Sequence, residues 1–244
     1  MLGSRYLEAI RELCGKVEKT QLENIDRAAD IIAEAISNDN TLHVFGTGHS
    51  HIFAEEMFYR AGGLVTVNPI LESALMLHEG ALKSTCIERL HGYASILADE
   101  HRITADDVII IASNSGRNIV PVEMAEVCRN LGATVIALTS VAHSNAVTPR
   151  HHNGKKLLDL ADIIIDNCGV FGDAILEIEK LPSKTGPTST VIGALIVNMI
   201  LAEVVEKLLD KGLEPPVFIS ANVEGGDAHD RALIEKYREQ YRCF

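Results

Sequence analysis

Two short loops carry the side chains best suited to chemistry. In Val44-Phe45-Gly46-Thr47-Gly48-His49-Ser50-His51 an apolar run ends in two glycines one residue apart, and hydroxyl and imidazole groups follow. In Ser113-Asn114-Ser115-Gly116-Arg117-Asn118, after the run VIIIA, hydroxyls and amides lead into a stretch with Pro121 in its first helical turn, where proline is tolerated. Both read as the turn from a strand into a helix, where unpaired amide N–H groups and the helix dipole attract an anion. Ser, Asn and Gly are also ordinary turn formers, so either loop alone is equally well explained as a structural turn. Two of them at the carboxyl ends of parallel strands are more specific, because open α/β sheets bind ligands along that edge. Hydroxyls and amides hold a single phosphate without a lysine. A dinucleotide is disfavoured: the third position of Gly-x-Gly-x-x-Gly is His51, and the expected second strand ends in Val67-Asn68-Pro69 instead of an acid.

The elements that must position these loops follow from hydrophobic spacing. Leu7, Ile10, Leu13 and Val17, then Ile25, Ala28, Ala29, Ile32 and Ile36, predict a long N-terminal helix or two in series. Buried-strand runs follow at 42–45, 64–67, 108–112, 134–139 and 163–166, with helices expected near 50–60, 71–79, 85–100, 119–130 and 188–210. Such alternation predicts an α/β three-layer sandwich with a five-stranded parallel sheet. The polar connections 141–156 and 167–187 are long enough to be functional. The expected organisation is an N-terminal helical segment (1–39), a ligand-binding domain (40–212) and a C-terminal extension (213–244).

Composition narrows the partners. The formal charge is −12, with 34 acidic against 22 basic residues, which argues against nucleic acid and anionic membranes but leaves room for a locally positive anion site. Cys14, Cys86, Cys128, Cys168 and Cys243 are widely spaced and odd in number, as expected of free thiols in a reducing compartment. The N-terminus lacks a signal-peptide pattern, and the apolar stretch 191–205 is interrupted by Asn198 and Glu203. A soluble cytoplasmic protein is expected, with that stretch a core or subunit-interface helix.

The motifs in combination resemble the sugar isomerase (SIS) domain proteins over about residues 40–210: Gly-Thr-Gly-His-Ser, Ser-Asn-Ser-Gly-Arg-Asn, LGATVIALTS (131–140) and KTGPTSTVIGALIVN (184–198). The chain looks nearest to uncharacterised bacterial SIS proteins, then to phosphoheptose isomerases and N-acetylmuramic acid 6-phosphate etherases. The resemblance implies a flavodoxin-like sheet, a homodimer or higher homo-oligomer, and a phosphorylated sugar as ligand. Its phosphate would meet Gly48, His49, Ser50, Ser113, Asn114, Ser115, Gly116 and Asn118, the last often threonine in the family. Thr47, Lys184 and Thr188 are expected to face the rest of the sugar, although Thr188 and Ser189 equally suit a helix cap and Lys184 a solvated position.

The family's catalytic residues do not carry over. The isomerase glutamate falls on Arg60, its histidine is missing from 188–205, and the etherase glutamates fall on Arg60 and near Leu82. Acid–base work is therefore assigned to Glu79, His78 and Glu56, although Glu56 also suits an i,i+4 ion pair with Arg60 and His78 a helix-end dipole contact. Glu72 and Glu79, seven apart, are expected on one helix face. His49, His51 and His151-His152 lack cysteine or carboxylate at a recognised ligand spacing, so neither metal nor cofactor is expected. Asp227 and His229 could reach a neighbouring subunit's site. Aldose–ketose isomerisation is the expected reaction, with elimination from an amino-sugar phosphate and non-catalytic sensing as alternatives.

Overall fold

A computed structural model of the chain describes residues 1–239; Cys243 lies outside them. The amphipathic N-terminal spacing resolves into two helices in series, α1 (Leu2–Thr20) and α2 (Leu22–Ser37), parted at Gln21. Strands β1 (Leu42–Gly46), β2 (Val67–Ile70), β3 (Val108–Ala112), β4 (Thr134–Thr139) and β5 (Ile163–Asp166) form the expected parallel sheet, in the order β2-β1-β3-β4-β5. This is the flavodoxin-like order. The Gln21 side chain accepts the Asp166 amide at 2.9 Å, so the break between α1 and α2 is fastened to the end of β5.

Because all five residues of β1 and of β3 are buried, the sheet must be covered on both faces. Leu42, Val44, Ile110, Ile136 and Ile165 face α1, α2, α3 (Ile52–Met57) and α8 (Ser189–Asp210). Phe45, Ile109, Ile111, Val135 and Ala137 face α5 (Tyr93–Glu100) and α6 (Ile119–Leu131). The apolar stretch 191–205 thus lies in α8 and buries Ile192, Ile196, Ile200 and Val204 against the sheet. At Gly193 the helix meets Phe53 so closely that a Cβ would overlap the ring. No helix among the described residues is long and apolar enough to cross a membrane.

Three expected elements differ. The second strand begins at Val67, because Leu64 is drawn into an isolated antiparallel bridge with Val217. It runs through Pro69, which an edge strand tolerates since only β1 pairs with it. The segment 71–79 holds a single 3-10 turn, Ser73–Leu75, capped by the Glu72 carboxylate on the Ala74 amide, so Glu72 and Glu79 share no helix face. The expected helix 85–100 is two, α4 (Ala81–Ile87) and α5, interrupted at Gly92 with φ +80°. Beyond β4 and β5 lie α7 (Val141–Asn145), the antiparallel hairpin of β6 (Ala174–Leu176) and β7 (Thr185–Pro187), and α9 (Gly226–Tyr237). Cys14, Cys86, Cys128 and Cys168 are free thiols.

A buried polar chain links β1, β2 and the turn before β3. Asn68 bonds His43 at 2.9 Å and His101 at 3.3 Å, and His43 faces Asp107 at 3.5 Å. Burial pushes the Asp107 carboxyl up, but hydrogen bonds from His43 and from the Thr41 and Thr104 amides outweigh it and leave the group below its usual value. Burial, with the His43 ring beside it, lowers His101 to about 4 against a pull upward from Glu72.

Two outcomes are expected. Gly193→Ala forces the Phe53 ring off α8 and lowers stability by about 1–3 kcal/mol in urea titrations. The unfolded chain takes up a proton on His101 below the ordinary histidine value of about 6.5, while the folded chain refuses it until about 4. Stability therefore falls as pH drops through that window, and Asp107, depressed when folded, adds to the loss at the acid end. Urea midpoints between neutral pH and pH 4 check this, and His101→Gln should flatten the upper part of the decline.

Candidate functional site

Parallel pairing brings the two polar loops together. Residue by residue β1 runs beside β3 until Gly46 stands opposite Ala112, so residues 47–51 and 113–118 leave the sheet side by side. The strand order reverses here, β1 having β2 on one side and β3 on the other, and α/β sheets form a crevice at such a point. The first loop folds back sharply into a 3-10 turn, Gly48–His51, and a Cβ at Gly46 would collide with the Ser50 carbonyl. In the second loop Gly116 has φ +58° and donates its amide to the Ser113 hydroxyl at 3.2 Å. Asn118, extended, then starts α6. The amides of Gly48, His49, Ser115, Arg117 and Asn118 have no acceptor among the described residues. They and the Ser50 and Ser115 hydroxyls provide donors without a partner to satisfy.

Glu88, which the sequence did not single out, sits between the loops. It caps α4, accepts the Thr47 hydroxyl on its carboxylate at 2.9 Å, and accepts the Val120 amide of α6 on its backbone carbonyl at 3.0 Å. A carboxylate fixed this way is placed to take a proton from a ligand held by the loops. The overlooked signal is Gly92, left-handed at the start of α5, which splits the helix expected over 85–100 and leaves Glu88 at the end of α4.

Three arginines gather from separate segments. Burial, followed by the like charges of Arg89 and Arg117, pulls Arg150 below its ordinary value, with Glu88 opposing. Arg150 hydrogen-bonds the Asn118 side chain, and its amide donates to the Arg117 carbonyl at 3.1 Å. In a chain of charge −12 this makes a locally positive patch, where a bound anion would relieve the mutual repulsion.

Other expected site residues are occupied by their own contacts. The Asn114 side chain accepts from Asn167 at 2.9 Å, which ties the second loop to the end of β5. Glu56 pairs with Arg60 and accepts Asn198 at 2.8 Å. Glu79 is exposed, and hydrogen bonds from Lys83 (2.5 Å) and Ser73 hold its carboxyl below the usual range; His78 is exposed beside it. Lys184 pairs with Glu177 at 2.7 Å on the exposed β6–β7 hairpin. Thr188 is fully buried, its hydroxyl and amide turned to Asp173, which also bonds the Ser189 amide and hydroxyl and so caps α8. His49 is exposed on the first loop, whereas the His51 ring bonds the Gly48 carbonyl and faces Glu55 at 3.5 Å. His229 is engaged within its own chain, on the Val217 carbonyl at 3.0 Å.

Comparisons agree with this architecture. The SIS domain profile matches residues 5–140, more than half of the chain. A UPF0309 protein of Caldanaerobacter subterraneus subsp. tengcongensis is 49% identical over 240 residues, covering 97% of this chain and 98% of that one. A UPF0309 protein of Listeria innocua is 45% identical over 237 residues, covering 97% and 96%. Among solved structures, a phosphoheptose isomerase from Francisella tularensis superimposes with a TM-score of 0.57 at 15% identity, covering 83% of this chain and 96% of that one. The Vibrio vulnificus NanR protein complexed with ManNAc-6P gives 0.52 at 14% identity, covering 97% and 70%. At these identities the structures share the fold.

The close approach at Gly46 is directly testable. Gly46→Ala is expected to displace Ser50 and weaken binding of inorganic phosphate by about tenfold or more, ~1.4 kcal/mol, in calorimetric titration. Unchanged affinity would remove the first loop from the anion site.

Proposed function

Because the chain belongs to the SIS domain family and groups with the UPF0309 proteins, we propose that its two-loop crevice binds the phosphate of a phosphorylated sugar and that the protein is a sugar-phosphate isomerase. The observation that carries this reading is the side-by-side exit of the loops from β1 and β3, with free amide donors on both and Glu88 held against Thr47. Gly48, His49, Ser50, Ser115 and Asn118 ring the phosphate, while Ser113 and Gly116 set the turn of the second loop. The arginines at 89, 117 and 150 supply the positive field.

Aldose–ketose exchange moves a proton between adjacent carbons, and a carboxylate is a suitable carrier. Glu88 takes that part in preference to Glu56 and Glu79, whose carboxylates are committed to Arg60 and Lys83. The Thr47 bond orients it. Phosphoheptose isomerases among the structural neighbours, and a neighbour solved with ManNAc-6P, support a sugar phosphate as ligand. A homodimer belongs to this reading, with Val191 and Leu195 exposed on α8 for a second copy to cover, and the free thiols fit a cytoplasmic location. One observation favours a second reaction on the same site: three arginines exceed what one phosphate needs, which suits a second acidic group on the substrate and its elimination.

A panel of sugar phosphates screened by thermal shift tests the binding, since a ligand at 100 times its Kd adds about 2.7 kcal/mol. Proton NMR of the best binder in D2O then distinguishes isomer exchange with deuterium uptake, release of an acid, and no turnover, which would leave a sensor. Glu88→Gln should cut turnover by about 10²–10⁴-fold with phosphate affinity near wild type. If no sugar phosphate raises the melting temperature, the proposal fails.

A further inference from the structure

Beside the crevice, three histidines from distant parts of the sequence converge. His91 lies in the turn between α4 and α5, and His151 and His152 lie in the connection after α7; one ring nitrogen from each comes within 4.8 Å of the others. Their ring centroids are 5.5 Å (His91–His151), 5.1 Å (His91–His152) and 4.3 Å (His151–His152) apart. His91 Nδ1 lies 3.0 Å from a Glu123 carboxylate oxygen, and the other oxygen of Glu123 accepts the Gly92 amide at 2.9 Å. Independently, the His151 side chain is 0% exposed and its Nε2 has no hydrogen-bond partner, a Glu123 carboxylate oxygen lying 3.6 Å away. A buried ring nitrogen without a partner costs free energy unless something else occupies it.

We propose that His91, His151 and His152 form a site for a divalent transition metal of the zinc type, oriented by Glu123. Neutral imidazole is the preferred donor for such ions. Glu123, accepting from His91 Nδ1–H, fixes the tautomer that leaves Nε2 with its lone pair, the usual arrangement behind a metal-bound histidine. Ligation through His151 Nε2 places that ring's proton on Nδ1, where only a 3.5 Å approach from the Asn153 amide is lost. A tetrahedral site with bonds of about 2.0–2.1 Å needs a modest contraction of the cluster, which His91 and His152, both exposed, can supply by rotating. Arg89 and Arg150 are sequence neighbours of the cluster; Glu123 provides the opposing charge, and the Arg150 head is turned to Asn118. The metal clips the connection carrying Arg150 to the turn after Glu88, with Glu123 of α6 bracing His91, which steadies the rim of the crevice. The site itself does not depend on what the crevice binds.

Equilibrium dialysis of the full chain against Zn²⁺ alone, followed by elemental analysis, reads the proposal directly. One equivalent per chain is expected. His91→Asn and His152→Asn, both exposed and tolerable to the fold, should each weaken retention by about tenfold or more, and His151→Asn should abolish it. His229→Gln should retain wild-type binding and so separate the cluster from general histidine affinity. Co²⁺ substitution should give the intense visible bands of a tetrahedral nitrogen-rich site. Sub-stoichiometric zinc, or wild-type retention in His91→Asn and His152→Asn, would overturn it, whatever the protein does with sugar phosphates.

Discussion

Everything at the carboxyl edge of the sheet depends on the parallel pairing of β1 with β3. Gly46 opposite Ala112 makes two strands end at one level, and the reversal of strand order opens the space above them. No contact between the two loops is needed to hold this geometry. The ladder and the two apolar faces set it, the residues of β1 and β3 being buried throughout. The loops are then free to keep amide donors without internal acceptors, the strain being carried by a packed scaffold.

The charge of the site is similarly a product of assembly. A chain with 34 acids and 22 bases presents three arginines together because α4, the second loop and the connection after α7 end at the same place. Glu88 enters among them through two anchors, its carboxylate on Thr47 and its carbonyl on Val120. One carboxylate and several guanidinium groups around free amides make a polar crevice suited to an anion and to proton transfer, and unsuited to a bulky apolar ligand.

Legibility varied with how local the signal was. The five strands were readable as apolar runs, and four of them lie where the runs do; the second slipped by three residues because Leu64 pairs with Val217, a partner some 150 residues away. The two loops were readable because Gly, Ser and Asn at strand ends have local conformational reasons, such as the left-handed φ of Gly116. Helical spacing across 85–100 concealed the break at Gly92, and with it the position of Glu88. Glu56, Glu79 and Lys184 looked available as isolated side chains; each has an ion-pair partner that spacing only partly announced. His91 and His151 are sixty residues apart, and nothing in their local sequence connects them.

By itself, then, the amino-acid sequence determined the class of fold and the two polar turns at the ends of β1 and β3, since hydrophobic period and backbone preference act over a few residues. Tertiary structure decided which side chains meet: Thr47 with Glu88, Arg150 with Asn118, Thr188 with Asp173, and His91, His151 and His152 with one another. Such meetings depend on the register of the sheet and on where each helix stops. Both are set by the packing of the whole core, so no single stretch of residues contains them.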